Sequence, residues 1–316
     1  MNKCLQVTCS APVNIAVIKY WGKRDVELIL PINSSLSVTL DQDDLASTTA
    51  IRCGPDLEND QMWLNGSEEF IKQGGRISAV LTRARDLRRK MEENNEELQP
   101  MSEWKVWIKS VNSFPTAAGL ASSASGYACL TFTLGQLFEL PCTMTELSGI
   151  ARLGSGSACR SLFGGFVAWE KGENADGSDS LAVQVAPKSH WDDLVALILV
   201  VSDAQKDIGS SVGMQETVRT SPLLQARINA VPQNMNAMKE AIAAKDFDKF
   251  AELTMRDSNQ FHAVCLDTFP PISYMNDISR KIVQVITRYN AVFLKDGPNG
   301  KQGYRCAYTF DAGYDR

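Results

Sequence analysis

Asn112-Ser-Phe-Pro-Thr-Ala-Ala-Gly-Leu-Ala-Ser-Ser-Ala-Ser-Gly126 is the stretch on which the reading of this 316-residue chain turns. Upstream, residues 104–109 alternate Trp104, Val106 and Ile108 with Lys105, Trp107 and Lys109, the period of a strand. Downstream, a helix is expected from Gly119 to about Phe138. Strand, small-residue turn and helix in that order let a backbone approach a ligand closely. The free N–H groups and positive dipole end of the helix then face an anion. Ser122, Ser123 and Ser125 add hydroxyls suited to phosphate oxygens or a magnesium ion. No Gly-x-x-x-x-Gly-Lys-Ser/Thr run occurs, so this is not a Walker loop. A plain turn or a tight helix-packing site remains the alternative.

A second small-residue run, Gly154-Ser-Gly-Ser-Ala-Cys-Arg160, sets a guanidinium beside hydroxyls and backbone donors, as a small carboxylate or phosphate would require. Lys19-Tyr-Trp-Gly-Lys-Arg24 places three cations at a strand end with Asn14 upstream, and these could hold a diphosphate or simply be solvated. Asp311, in Thr-Phe-Asp-Ala-Gly, ends the expected last strand. It reads as a turn residue or as a group that orients or deprotonates a hydroxyl. His262 reads as a satisfied helix histidine. Ser210 belongs to a further polar loop.

Around these runs, strands are expected at 7–18, 36–40, 47–53, 165–170, 181–186, 194–202 and 304–310, the run 194–201 being a buried one. Ile77, Val80, Leu81, Ala84, Leu87 and Met91 form one helical face, and the opposite face, with Arg83, Arg85, Arg88, Arg89 and several glutamates, reads as solvated. Thr143-Met-Thr-Glu146 fits a capping box. Met235, Met238 and Ile242 share an apolar face, as do Phe247, Phe250 and Leu253. The mixture indicates α+β, with a lobe boundary near 187–193.

Composition bounds the function. At 44% hydrophobic and 22% charged residues the chain is an ordinary globular protein. A net charge of −5 argues against nucleic-acid binding and demands that cations for any anionic ligand be concentrated locally. Eight scattered cysteines without a Cys-x-x-Cys pair, and two histidines, point to reduced thiols and no zinc site. No apolar run is long enough to span a bilayer and none reads as a signal peptide, so a soluble, cytoplasmic protein is expected.

Taken with Ala11-Pro-Val-Asn14-Ile-Ala, Pro31-Ile-Asn-Ser-Ser-Leu-Ser-Val-Thr-Leu and Ser258-Asn-Gln-Phe-His-Ala-Val-Cys, these runs resemble the mevalonate diphosphate decarboxylases, within the GHMP kinase superfamily. They span residues 11–313 in order. The resemblance implies a two-lobed fold, with a ribosomal protein S5-like lobe at 1–190 and a shortened ferredoxin-like lobe at 191–316. It implies ATP-dependent conversion of mevalonate 5-diphosphate to isopentenyl diphosphate, CO2, ADP and phosphate, with Mg2+, in a homodimer. By the same resemblance Asp311 orients or deprotonates the 3-hydroxyl, Arg160 holds the carboxylate, and Lys19 and Asn14 support the reacting centre. Tyr20, Lys23, Arg76, Ser155, Ser157 and Ser210 hold the substrate. Asn112, Ala118, Gly119, Leu120, Ala121, Ser122 and Ser123 meet the nucleotide, and Ser123 also meets the metal. The departure lies after Gly313, where the family continues and this sequence reads Tyr-Asp-Arg. A small-molecule kinase of the superfamily, and an inactive relative that binds nucleotide or a partner subunit, are the rival readings.

Overall fold

The computed structural model describes residues 4–114, 122–201, 207–296 and 303–313. Its strands and helices run β1 (Leu5–Pro12), β2 (Asn14–Ile18), β3 (Lys23–Asp25), β4 (Leu30–Pro31), β5 (Ser35–Thr39), β6 (Ala46–Gly54), β7 (Gln61–Leu64), β8 (Ser67–Glu69), α1 (Arg76–Asn94), β9 (Lys105–Asn112), α2 (Ser122–Leu137) and α3 (Met144–Gly154). After a 3-10 turn at Gly156–Leu162 come β10 (Phe166–Trp169), β11 (Ala182–Ala186), α4 (Ser210–Thr220), α5 (Leu223–Ala244), α6 (Phe247–Asp267) and α7 (Asp277–Asp296). The protein is α+β, as expected.

Two sheets carry the fold. One has strand order β1-β6-β9-β7-β8, the other β11-β10-β5-β2. In β9, Val106 and Ile108 point into a core shared with Val80, Leu81 and Leu134, so the period-two reading selects the buried face correctly. The outer face of the same sheet carries Trp107 and Trp63 edge to face, with Arg52 over the first ring and Lys109 over the second. The second sheet packs Ile18, Leu36 and Phe166 against Met235, Met238 and Phe250 of α5 and α6. The methionines are core, as expected. Thr143 and Glu146 form the reciprocal capping box that opens α3.

Four expectations need correction. Residues 7–18 are not one strand: the chain breaks at Val13, and β1 and β2 join different sheets. Residues 194–201 form no strand, and Val195 and Leu197 are more than four-fifths exposed. An apolar run becomes a strand only where neighbours take its N–H and C=O groups, and no described strand pairs with this one. Residues 304–310 also form no strand, being pinned instead by side chains of α6 and α7. Finally, Arg88 is not solvated. It is 1% exposed and bonds Glu92, the Phe138 carbonyl and the Gln99 carbonyl.

Helix α7, unassigned from the sequence, leaves Ile278, Val285, Tyr289 and Val292 at least half exposed. No helix among the described residues is long and apolar enough to cross a membrane.

Candidate active site

The chain leaves β2 at Ile18 and turns through Lys19-Tyr-Trp-Gly to β3. Trp21 anchors this turn, 1% exposed and edge to face with Phe261. Gly22 has φ +95°, and a Cβ there would sit 2.4 Å from Ile32, so the turn demands glycine. The anchor turns Lys19 and Lys23 inward, at 3% and 6% exposure. Arg24, grouped with them by sequence, points away to the carbonyls of Lys171, Gly172 and Asn174.

Lys19 Nζ donates to Asp311 Oδ1 at 2.5 Å. The turn and the C-terminal aspartate therefore meet, without the strand expected to carry the aspartate. Burial alone would raise the Asp311 carboxyl. The charge and hydrogen bond of Lys19, with the charges of Arg160 and His262, hold it below the ordinary carboxylate range. Its side chain is nevertheless 41% exposed, so it is a group crowded by protein yet open to solvent on one side.

Arg160 lies in the 3-10 turn after α3, 2% exposed, with Nη1 donating to Ser35 Oγ at 2.6 Å. Its Nε is buried and has no partner among the described residues, and the buried hydroxyl of Tyr20 is in the same state. Burial lowers the Arg160 guanidinium and raises the Tyr20 phenol, while Arg76, Arg160 and Arg152 all act on that phenol. Two orphaned polar atoms beside several cations are what a site for an anionic, oxygen-rich ligand looks like. Gly156 keeps this turn close: a Cβ would press Trp169 at 2.7 Å and Tyr20 at 2.8 Å. The neighbouring Cys159 thiol is pushed up to about 12 by burial, with no sign of reactivity.

A second cluster forms where the turn meets α1 and α4. Arg76 Nη2 donates to Ser211 Oγ at 2.7 Å and Lys23 Nζ to the same oxygen at 3.3 Å. Burial, then the Arg76 charge, lower the Lys23 ammonium to about 8. Ser211 is thus a hydroxyl facing the cations that sequence reasoning did not name, beside the Ser210 that it did. Successive helical residues point about 100° apart, and nothing in the polar loop fixes which one faces inward.

The two small-residue runs do come together. Ser123 Oγ lies 3.4 Å from Ser155 Oγ, which lies 3.3 Å from Ser157 Oγ. Asn14 Nδ2 bonds the Ser157 carbonyl and Ser161 Oγ, tying β2 to the same turn. Asn112 Oδ1 accepts from Ser47, whose hydroxyl is 2.7 Å from that of Ser125 in α2. Ala118, Gly119, Leu120 and Ala121 lie outside the described residues, as does the side chain of Ser122. Lys19, Lys23, Arg76 and Arg160 therefore line one region of an acidic protein.

The family model for the diphosphomevalonate decarboxylase-like N-terminal domain matches residues 11–182. That for the mevalonate 5-diphosphate decarboxylase C-terminal domain matches residues 196–315. A curated relative from Ganoderma lucidum, a diphosphomevalonate decarboxylase, is 58% identical over 98% of this chain and 76% of its own length. The X-ray structure of a mevalonate 5-diphosphate decarboxylase superposes with a TM-score of 0.88 at 50% identity, over 98% of this chain and 77% of its own. Another, described as a complex with MVAPP, AMPPCP and magnesium, gives 0.79 at 33% identity, over 98% and 87%. The chain spans about three quarters of the length of its curated relatives. It belongs to the mevalonate diphosphate decarboxylase family.

Proposed function

We propose that this protein catalyses ATP-dependent decarboxylation of mevalonate 5-diphosphate to isopentenyl diphosphate, CO2, ADP and phosphate. The observation that carries the reading is the Lys19–Asp311 contact beside the buried Arg160. It offers one carboxylate for a hydroxyl and one guanidinium for a carboxylate.

The substrate's tertiary hydroxyl is a poor leaving group. Its oxygen attacks the γ-phosphorus of ATP, the bond to ADP breaks, and the hydroxyl proton leaves to Asp311 or solvent. Asp311, held ionised by Lys19, is a weak base, so its larger contribution is to fix the hydroxyl in line. Once phosphorylated, the oxygen departs as phosphate and electron demand appears at the tertiary carbon. The carbon–carbon bond to the carboxylate breaks, its electron pair becomes the new double bond, and CO2 leaves. Arg160 orients that carboxylate through this step. Lys23, Arg76 and Ser211, with Tyr20, Ser155 and Ser157, hold the diphosphate end, and Asn14 steadies the turn that presents Ser157.

Asn112 and residues 118–123 are assigned to the nucleotide on the family resemblance. Magnesium usually keeps several waters and takes one or two protein oxygens plus substrate phosphates. The Ser123 hydroxyl, turned toward Ser155, suits that donor set. When bound, the ion would neutralise charge on the transferring phosphates. The resemblance further supports a cytoplasmic homodimer with lobes at 1–190 and 191–316.

The test is an assay with mevalonate 5-diphosphate, ATP and magnesium, detecting isopentenyl diphosphate. The reading predicts ATP-dependent product that is lost in Asp311→Asn; no product from folded wild-type protein contradicts it.

A further inference from the structure

Lys19 and Asp311 come from opposite ends of the chain, and no shared sheet sets their distance. Residues 303–313 contain no strand, and Lys19 lies just past the end of β2. Both segments are instead fastened to α6 by their main chains.

At the first segment, the Lys19 N–H donates to Asp257 Oδ2 at 2.7 Å. The Lys19 carbonyl accepts from Arg227 Nη2 at 2.9 Å and from Asn33 Nδ2 at 3.0 Å. Arg227 is itself gripped by both oxygens of Asp257, at 2.9 and 3.2 Å, and by Gln260 at 3.0 Å. At the second segment, the Phe310 N–H donates to Ser258 Oγ at 3.0 Å. His262, one turn further along α6, donates from Nε2 to the Phe310 carbonyl at 3.2 Å. Both main-chain groups of the residue before Asp311, and both of Lys19, are thus taken by this group of side chains.

We propose that Asp257, Arg227, Ser258 and His262 are positioning residues, and that α6 acts as a splint holding Lys19 in register with Asp311. The inference rests on the functional reading above. Asp257 and Arg227 are at most 1% exposed, and a buried ion pair is weak support for stability, since apolar residues of similar volume often serve as well. What apolar residues could not do is take the N–H and C=O of Lys19. His262 fits the same role. Burial, then the Lys19 charge, lower it to about 4, so near neutrality it is an uncharged donor of one hydrogen bond. The charged or titratable groups acting on Asp311 are Lys19, Arg160 and His262.

The test uses Ser258→Ala and His262→Leu, with His262→Gln restoring a donor to the Phe310 carbonyl. The Asp311 carboxyl is followed by 13C NMR in aspartate-labelled protein, assigned with Asp311→Asn, alongside steady-state kinetics. In the wild type the carboxyl should remain ionised at about pH 4, the ordinary carboxylate midpoint. In Ser258→Ala and His262→Leu it should titrate near or above that pH. Their kcat should fall ~10- to 100-fold while KM for mevalonate 5-diphosphate moves less than about threefold. His262→Gln should behave as wild type in kcat and KM; it lacks the His262 charge that helps lower Asp311, so Ser258→Ala carries the titration arm.

An Asp311 titration unchanged in folded Ser258→Ala overturns the splint, as does a loss of kcat no larger than the loss of folded protein. Ser258→Ala decides alone should His262→Leu not fold. The NMR arm needs no turnover, so a protein inactive on mevalonate 5-diphosphate would contradict the functional reading and leave the splint to be decided by the titration.

Discussion

Lys19 Nζ lies 2.5 Å from Asp311 Oδ1, although 292 positions separate the two residues in the chain. The contact sets the protonation state of the one carboxylate assigned to the substrate hydroxyl. Asp311→Asn keeps the shape and removes the charge, so kcat should fall about 10²- to 10⁴-fold, with a smaller change in KM. Lys19→Met should move the acid limb of the kcat profile upward. The Asp311 value is depressed in the folded protein, so the active ionised form persists below the ordinary carboxylate range. Without the lysine, burial acts with less opposition and the limb rises. A limb unmoved by Lys19→Met would show that another group controls it.

On the alkaline side the controlling group is Lys23. Burial and Arg76 lower it to about 8, so in the free enzyme its charge is lost as pH rises through that value. The fall of kcat/KM for mevalonate 5-diphosphate should begin there. Lys23→Arg keeps the charge throughout and should shift the fall to higher pH, read from profiles of the two proteins.

Ser211 takes hydrogen bonds from Arg76 and Lys23 and so fixes where both cations point. Ser211→Ala should raise KM for mevalonate 5-diphosphate ~10- to 100-fold, the scale of one hydrogen bond to a charged group, with kcat nearly constant. An equal fall in kcat would put Ser211 at the reacting end instead.

Arg88 bonds α1, the segment before β9 and the residue after α2. Arg88→Ala strips Glu92 of its ion-pair partner and the Phe138 and Gln99 carbonyls of a donor. Urea denaturation should show a loss of ~3–5 kcal/mol, with kcat per folded molecule unchanged.

The contrast between Arg88 and Arg160 shows how far the sequence could be read. Arg160 was recognisable because Gly-Ser-Gly-Ser-Ala-Cys-Arg is contiguous, and small residues before an arginine restrict what the run can do. Arg88 sat among arginines and glutamates on a helix face that charge pattern alone marks as solvated. Its burial depends on carbonyls from two other segments. The same holds for Asp257 and Arg227, whose partner is the main chain of a residue more than 200 positions away. Residues 194–201 carry a strong strand pattern, but pairing is a property of the neighbours rather than of the run.

The central claim is that one site both transfers the phosphoryl group and releases CO2. The most direct measurement is the ratio of CO2 to ADP formed from carboxyl-labelled mevalonate 5-diphosphate, ATP and magnesium. The account predicts one CO2 for each ADP, with both falling together in Arg160→Ala. ADP released without CO2 by the wild-type protein would contradict it and identify a kinase that stops at the phosphorylated alcohol.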